Sequence, residues 1–168
     1  VATAGHDTTS SSTSGAIWAL AEDPEQFAKV KANPDLIPGL VDEAIRWMTP
    51  VKHFMRSATA DTELGGRKIA KGDWLMLCYA SGNRDESVFA DPDTFDVGRE
   101  NAELHLEFGK GPHLCLGMPL GRLEVRIALE LLTGLTPDIA LAPQDFVYSP
   151  NALFRGLQQL IVYAKGAR

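Results

Sequence analysis

The sequence predicts a mainly α protein with a small β part, an α+β chain, and three observations carry that reading. Apolar residues recur at spacings of three and four in "IPGLVDEAIRWM", giving a helix with one buried face, and again from Leu116 to Leu131 as a helical stripe. Between them, residues 51 to 77 change to short runs broken by glycine, the mark of strands and tight turns. The tail, "TPDIALAPQDFVYSPNALFRGLQQLIVYA", reads as a few more strands with turns. At 168 residues, 45% hydrophobic and 23% charged, the chain is long enough for a core of its own.

The elements follow in order. Residues 1 to about 21 form a first helix that "EDP" ends. Pro24 starts a second, "PEQFAKVKA", because the fixed φ of proline suits a first helical position, and "NP" closes it. The third helix buries Leu40, Val41, Ala44, Ile45 and Met48. "LGGRK" is a turn, and "KGDWLMLCY" a buried strand with Cys78 in the core. Gly82, Pro92, Gly98 and many aspartates make residues 80 to 107 mostly turn and loop. Leu116, Leu120, Leu123, Ile127 and Leu131 then stripe a further helix. With no repeat and no linker, residues 1–168 read as one unit.

Composition excludes several classes. A net charge of −6 argues against a general affinity for nucleic acid. Two cysteines and no CxxC pair argue against a disulfide scaffold and structural zinc. No apolar run reaches the ~18 residues that span a bilayer. The opening "VATAGHDTTSS" is neither a signal peptide nor an initiating methionine, and the expected location is the cytoplasm.

Cys115 stands in "FGKGPHLCLG", among small residues and immediately before a helix. A free thiol near pKa ~8.5 is only slightly ionised at neutral pH. A metal, or the positive end of the helix that opens around Pro119, would favour the thiolate. Gly109, Gly111 and Gly117 allow tight turns and let backbone N–H groups face the sulfur. A lone cysteine is more often an inert packing residue. The decapeptide, however, matches F-x-x-G-x-H-x-C-x-G at Phe108, Gly111, His113, Cys115 and Gly117. It thereby resembles the haem-binding signature of the cytochrome P-450 (haem-thiolate monooxygenase) family. The resemblance implies that Cys115 is the axial ligand of haem b, the metal ligand of the site, and that Phe108 packs on the sulfur side with Gly109 and Gly117 close by. The electron push of such a thiolate is a general property of that enzyme class.

Two further motifs occur in the family's order. In "EAIR", Glu43 and Arg46 lie i, i+3 on one helix face, a pair that on a surface contributes little. The resemblance implies a buried structural network instead, completed by Arg99 of "FDVGRE". "AGHDTT" resembles the oxygen-activating segment of the family's central helix. There Thr8 can donate back to the carbonyl of Ala4, and Gly5 permits the same local widening. By that resemblance Ala4 and Gly5 border the haem, and Asp7 and Thr8 are catalytic: Asp7 feeds protons and Thr8 favours O–O cleavage over peroxide loss. Arg56 and His113 would serve the haem propionates. Val51 and Phe54, with Leu153 and Phe154 of the last hairpin, would line the substrate pocket.

The resemblance covers essentially the whole chain and is greatest to soluble bacterial members around the terpineol hydroxylase. It implies the C-terminal haem-binding part of one domain, from the central helix onward, with the N-terminal half absent. The parent protein is expected to hydroxylate an apolar small molecule (terpenoid, sterol side chain or alkyl chain) with dioxygen. Electrons would come from NAD(P)H through a ferredoxin reductase and a ferredoxin docked near Lys110, Arg122 and Arg126. The alternative is a truncated, non-catalytic chain that acts at most as a haem-binding or interaction module.

Overall fold

The computed structural model describes residues 2–165, so Val1, expected to open the first helix, lies outside them. Among the described residues five α-helices run in chain order: α1 (Ala2–Glu22), α2 (Pro24–Ala32), α3 (Ile37–Met48), α4 (Tyr79–Gly82) and α5 (Met118–Leu135). Six short strands make three separate antiparallel pairs: β1 (Phe54–Ser57) with β4 (Trp74–Leu77), β2 (Thr62–Leu64) with β3 (Arg67–Ile69), and β5 (Asp138–Leu141) with β6 (Val162–Lys165). The mainly α reading with a small β part holds.

Local chemistry explains the boundaries. The Asp23 carboxylate accepts from the N–H groups of Glu25 at 3.0 Å and Gln26 at 3.3 Å, capping α2 behind Pro24. Gly65 and Gly66 take φ of 56° and 76° between β2 and β3, where an L side chain would be strained. Helix α3 ends at Thr49, whose φ of 44° is costly for a β-branched residue. Two bonds hold it there: its hydroxyl donates to the Arg46 carbonyl at 2.6 Å and accepts from Asn83 Nδ2 at 3.0 Å. This bend aims Pro50 and Val51 at the site described below.

The core gathers Ala16 and Leu20 of α1, Phe27 and Val30 of α2, Leu40, Ala44 and Ile45 of α3, Val125 and Leu129 of α5, and Ile139 of β5. Thus α1 packs on both α3 and α5. At the α1–α3 crossing, a Cβ on Gly15 would lie 2.9 Å from Met48, so only glycine lets the helices meet so closely.

Three expectations need correction. The leucine stripe is helical only from Leu120 on, and it is exposed: Leu116 lies in the turn before α5 and is 94% accessible, and Leu131 of α5 is 56% accessible. Helix α5 instead buries Val125, Leu129 and Thr133, one and two turns apart on another face. Strand β4 forms but is not buried, with Trp74 75% accessible. Cys78 is exposed rather than core. The common physical reason is that among the described residues β4 pairs only with β1, and an apolar period reveals a face suited to burial, not the layer that covers it.

Candidate haem-binding site

The cysteine loop is shaped by its own backbone. Gly109 and Gly111 each adopt φ of 70°, and the Cys115 N–H donates to the Phe108 carbonyl at 2.8 Å. Residues Gly111–His113 make one 3-10 turn, after which the Met118 N–H donates to the Cys115 carbonyl at 3.2 Å and α5 begins. Cys115 therefore lies in the positive field of a helix N-terminus. Gly117 differs from its neighbours: its φ is −81°, and a Cβ there would sit 3.8 Å from Cys115 Sγ. It leaves room beside the sulfur instead of supplying a left-handed turn.

Cys115 lines a cavity of about 440 Å³. Phe108, Gly109, His113 and Cys115 form one wall. Ala4, Thr8, Thr9 and Ser12 of α1 form another. Polar residues can build that helix because their hydroxyls turn back onto it: Thr8 donates to the Ala4 carbonyl, Ser12 to Thr8 and Thr13 to Thr9, each at 2.9 Å. What remains toward the cavity is a face of small residues. Gly5, one turn from Thr9, has nothing within 4 Å of where its Cβ would be.

Val51, Phe54 and Arg56 supply a third wall, joined by Phe154, which bridges to Val51 in antiparallel fashion. Leu153 does not line the cavity; its carbonyl accepts the Lys52 N–H at 2.9 Å and so holds the hairpin in place. Asp7 is also outside the wall. Its side chain is 68% accessible and lies 3.6 Å from His6. Arg56 and His113 border this cavity and an adjoining hollow that also contains Lys110 and Cys78. The donor set is coherent for haem: a mostly apolar lining that includes a cysteine, with Arg56 and His113 as cationic side chains suited to carboxylates.

Two buried networks stand behind the walls. Arg46 forks onto Glu43 at 2.7 and 2.8 Å, both side chains essentially inaccessible. Arg99 Nε lies 3.0 Å from the same carboxylate, and Arg46 Nη1 also donates to the carbonyls of Asn83 and Pro92 at 2.8 Å. The three residues singled out by "EAIR" and "FDVGRE" thus meet, and they staple α3 to the loop of residues 83–99.

The second network escapes a sequence reading. Asp42 receives Arg122 Nε at 2.7 Å and lies 3.3 Å from His105 Nε2. Burial would raise the Asp42 pKa, but hydrogen bonds and charge from His105 and Arg122 outweigh it and hold the carboxyl below its ordinary value. Arg122 and the His105 ring both rest against Phe108, at 5.2 and 5.3 Å. Arg126 pairs with Glu130 at 2.7 Å. The expected cationic patch is therefore largely neutralised, with exposed Lys110 as its remaining member.

Glu107, also absent from the sequence reading, lines the cavity with Tyr79. A lone acid between Leu106 and Phe108 was the available signal.

A family model described as Cytochrome P450 matches residues 1–133. Cytochrome P450-terp of Pseudomonas sp is 58% identical over 90% of this chain and 35% of its own length. Linalool 8-monooxygenase of Pseudomonas putida is 40% identical over 94% of this chain and 38% of its own. The crystal structure of CYP108D1 from Novosphingobium aromaticivorans superposes with a TM-score of 0.93 at 50% identity, covering 99% of this chain and 40% of that one. The chain thus spans well under half the length of these relatives.

Proposed function

The chain belongs to the cytochrome P450 family, and on that premise we propose that it forms the thiolate side of a haem site in a monooxygenase that hydroxylates an apolar small molecule. The observation that carries the proposal is Cys115, just before the N-terminus of α5, lining one cavity together with Ala4 and Thr8 of α1. Cys115 would hold the iron as its thiolate, and Arg56 and His113 would hold the haem carboxylates. The haem, when bound, supplies dioxygen activation and the oxidation of a C–H bond.

The chain's own residues do the rest. Thr8 keeps a hydroxyl in the cavity wall, its oxygen fixed by the 2.9 Å bond to Ala4 and able to accept a proton or hydrogen bond from the cavity side. Asp7, one residue away and open to water, takes protons from solvent and passes them toward Thr8. Phe54, Val51 and Phe154 exclude water and offer an apolar surface to the substrate. Glu43, Arg46 and Arg99 act at a distance by fixing α3, from whose end Val51 and Phe54 extend. Relatives named for terpene-type and steroid substrates support a terpenoid, sterol side chain or alkyl chain as substrate. Electrons come from NAD(P)H through a ferredoxin reductase and a ferredoxin, in the cytoplasm. Because Arg122 and Arg126 are paired, the ferredoxin is drawn mainly by Lys110 and the loop around it.

The test is the reduced, carbon monoxide-bound spectrum of the haem-loaded full-length protein. Thiolate ligation gives a Soret band moved far to the red, and Cys115→Ser abolishes it. A wild-type band typical of histidine ligation, or an unchanged band in Cys115→Ser, contradicts the proposal.

A further inference from the structure

Resting on that haem reading, one buried group has no task. Glu107 is 9% exposed and lines the cavity at the foot of the cysteine loop. Its Oε1 accepts the Val51 N–H at 2.5 Å, which fixes the carboxyl in the wall. Its Oε2 is fully buried and has no hydrogen-bond partner among the described residues. A buried oxygen left unpaired is costly, so folded proteins normally give it a partner.

The surroundings decide its charge state. Arg56, Tyr79, His113 and Cys115 are the ionisable groups that share the wall. His105 lies behind, its Nδ1 accepting the Glu107 N–H at 3.2 Å. None of them hydrogen-bonds Oε2, so an anion there would be buried without a counter-charge in contact. Burial lifts the Glu107 pKa to about 8, and the opposing bond from Val51 is the smaller influence. Near neutral pH the group is therefore a neutral acid.

We infer that Glu107 is a redox-linked proton site in the cofactor cavity, a neutral acid whose ionisation places a negative charge in the wall and draws the potential of the bound haem down. A buried anion favours the more positive, oxidised iron, and charge and hydrogen bonding near the haem are among the levers a protein has on that potential. Linkage makes the effect reciprocal: reducing the iron tightens the hold of Glu107 on its proton. Above the acid's pKa, an electron from a one-electron donor is then accompanied by a proton from solvent, which forms the Oε2–H bond. One electron and one proton enter, and no bond breaks. Glu107 is a positioning residue for charge and does not touch the substrate.

The experiment is spectroelectrochemical titration of the haem-loaded full-length protein and Glu107→Gln between about pH 6 and 9.5. The amide keeps an oxygen for the Val51 N–H but cannot ionise. The wild-type midpoint should shift downward as pH rises through about 8, while Glu107→Gln stays on the acid limb across that window. Infrared difference spectra of the wild type supply an independent reading that needs no variant to fold. A protonated-carboxyl band should fade through the same window. Identical pH profiles in the two proteins, or no fading band, overturn the inference while the red-shifted Soret band leaves the haem reading standing. Loss of that Soret band in the wild type would instead overturn the haem reading itself.

Discussion

Thr8 and Glu107 show how a single side chain can answer to both the fold and the site. The Thr8 hydroxyl turns back onto Ala4, which lets a run of serines and threonines form a helix, and the same residue lines the cavity. Thr8→Ala should keep the helix and its NAD(P)H consumption but divert electrons to hydrogen peroxide, so that product per NAD(P)H falls severalfold. Unchanged coupling would remove the role given to the hydroxyl. Glu107 makes a second, thermodynamic claim. Its folded pKa of about 8 lies above its ordinary 4.5, so the folded state holds the proton more tightly. The stability it provides is complete below the unfolded value and is lost as pH rises toward 8, by up to about 1.4 kcal/mol per pH unit. Denaturation of wild type and Glu107→Gln should therefore show the variant gaining relative stability from acid toward pH 8, and parallel curves would contradict this. Cys115, Glu43 and Arg46 were legible because their spacing is a motif. Glu107 was not, since sequence shows a charge among apolar neighbours but not whether a partner awaits it.

Elements are held together here by a few buried polar staples as much as by apolar faces. Arg46 joins α3 to the loop of residues 83–99 through Glu43 and the carbonyls of Asn83 and Pro92. Truncating one member leaves a buried carboxylate without its main counter-charge, a loss of roughly 3–5 kcal/mol. Arg46→Ala should lower the unfolding midpoint of the full-length protein accordingly and weaken its hold on haem. A change below about 1 kcal/mol would reduce the network to a surface pair. Helix boundaries were readable from Asp23, Pro24 and Pro119, because caps act within a few residues. The buried face of α5 was not readable. Its leucines outnumber Val125 and Leu129, yet the latter meet the core, and only the three-dimensional crossing of α1 and α5 decides which face turns inward.

For the whole molecule, the core and the site account for only part of the apolar surface. Leu116 just before α5, Leu120, Leu123, Ile127, Leu131 and Leu135 along it, and Trp74 and Met76 along β4 remain accessible. Such continuous apolar surface marks an interaction face. This chain expressed alone should bind an apolar dye strongly and associate in sedimentation experiments. A monodisperse monomer without dye binding would show that the exposed stripe is tolerated as it stands. The slot between the α1 wall and the cysteine loop nevertheless exists within these residues, and its chemistry converges on one atom. X-ray absorption at the iron edge of the resting, haem-loaded full-length protein reads that atom directly. The spectrum should show a sulfur neighbour to the iron that disappears in Cys115→Ser; nitrogen and oxygen neighbours alone in the wild type would rule out thiolate ligation.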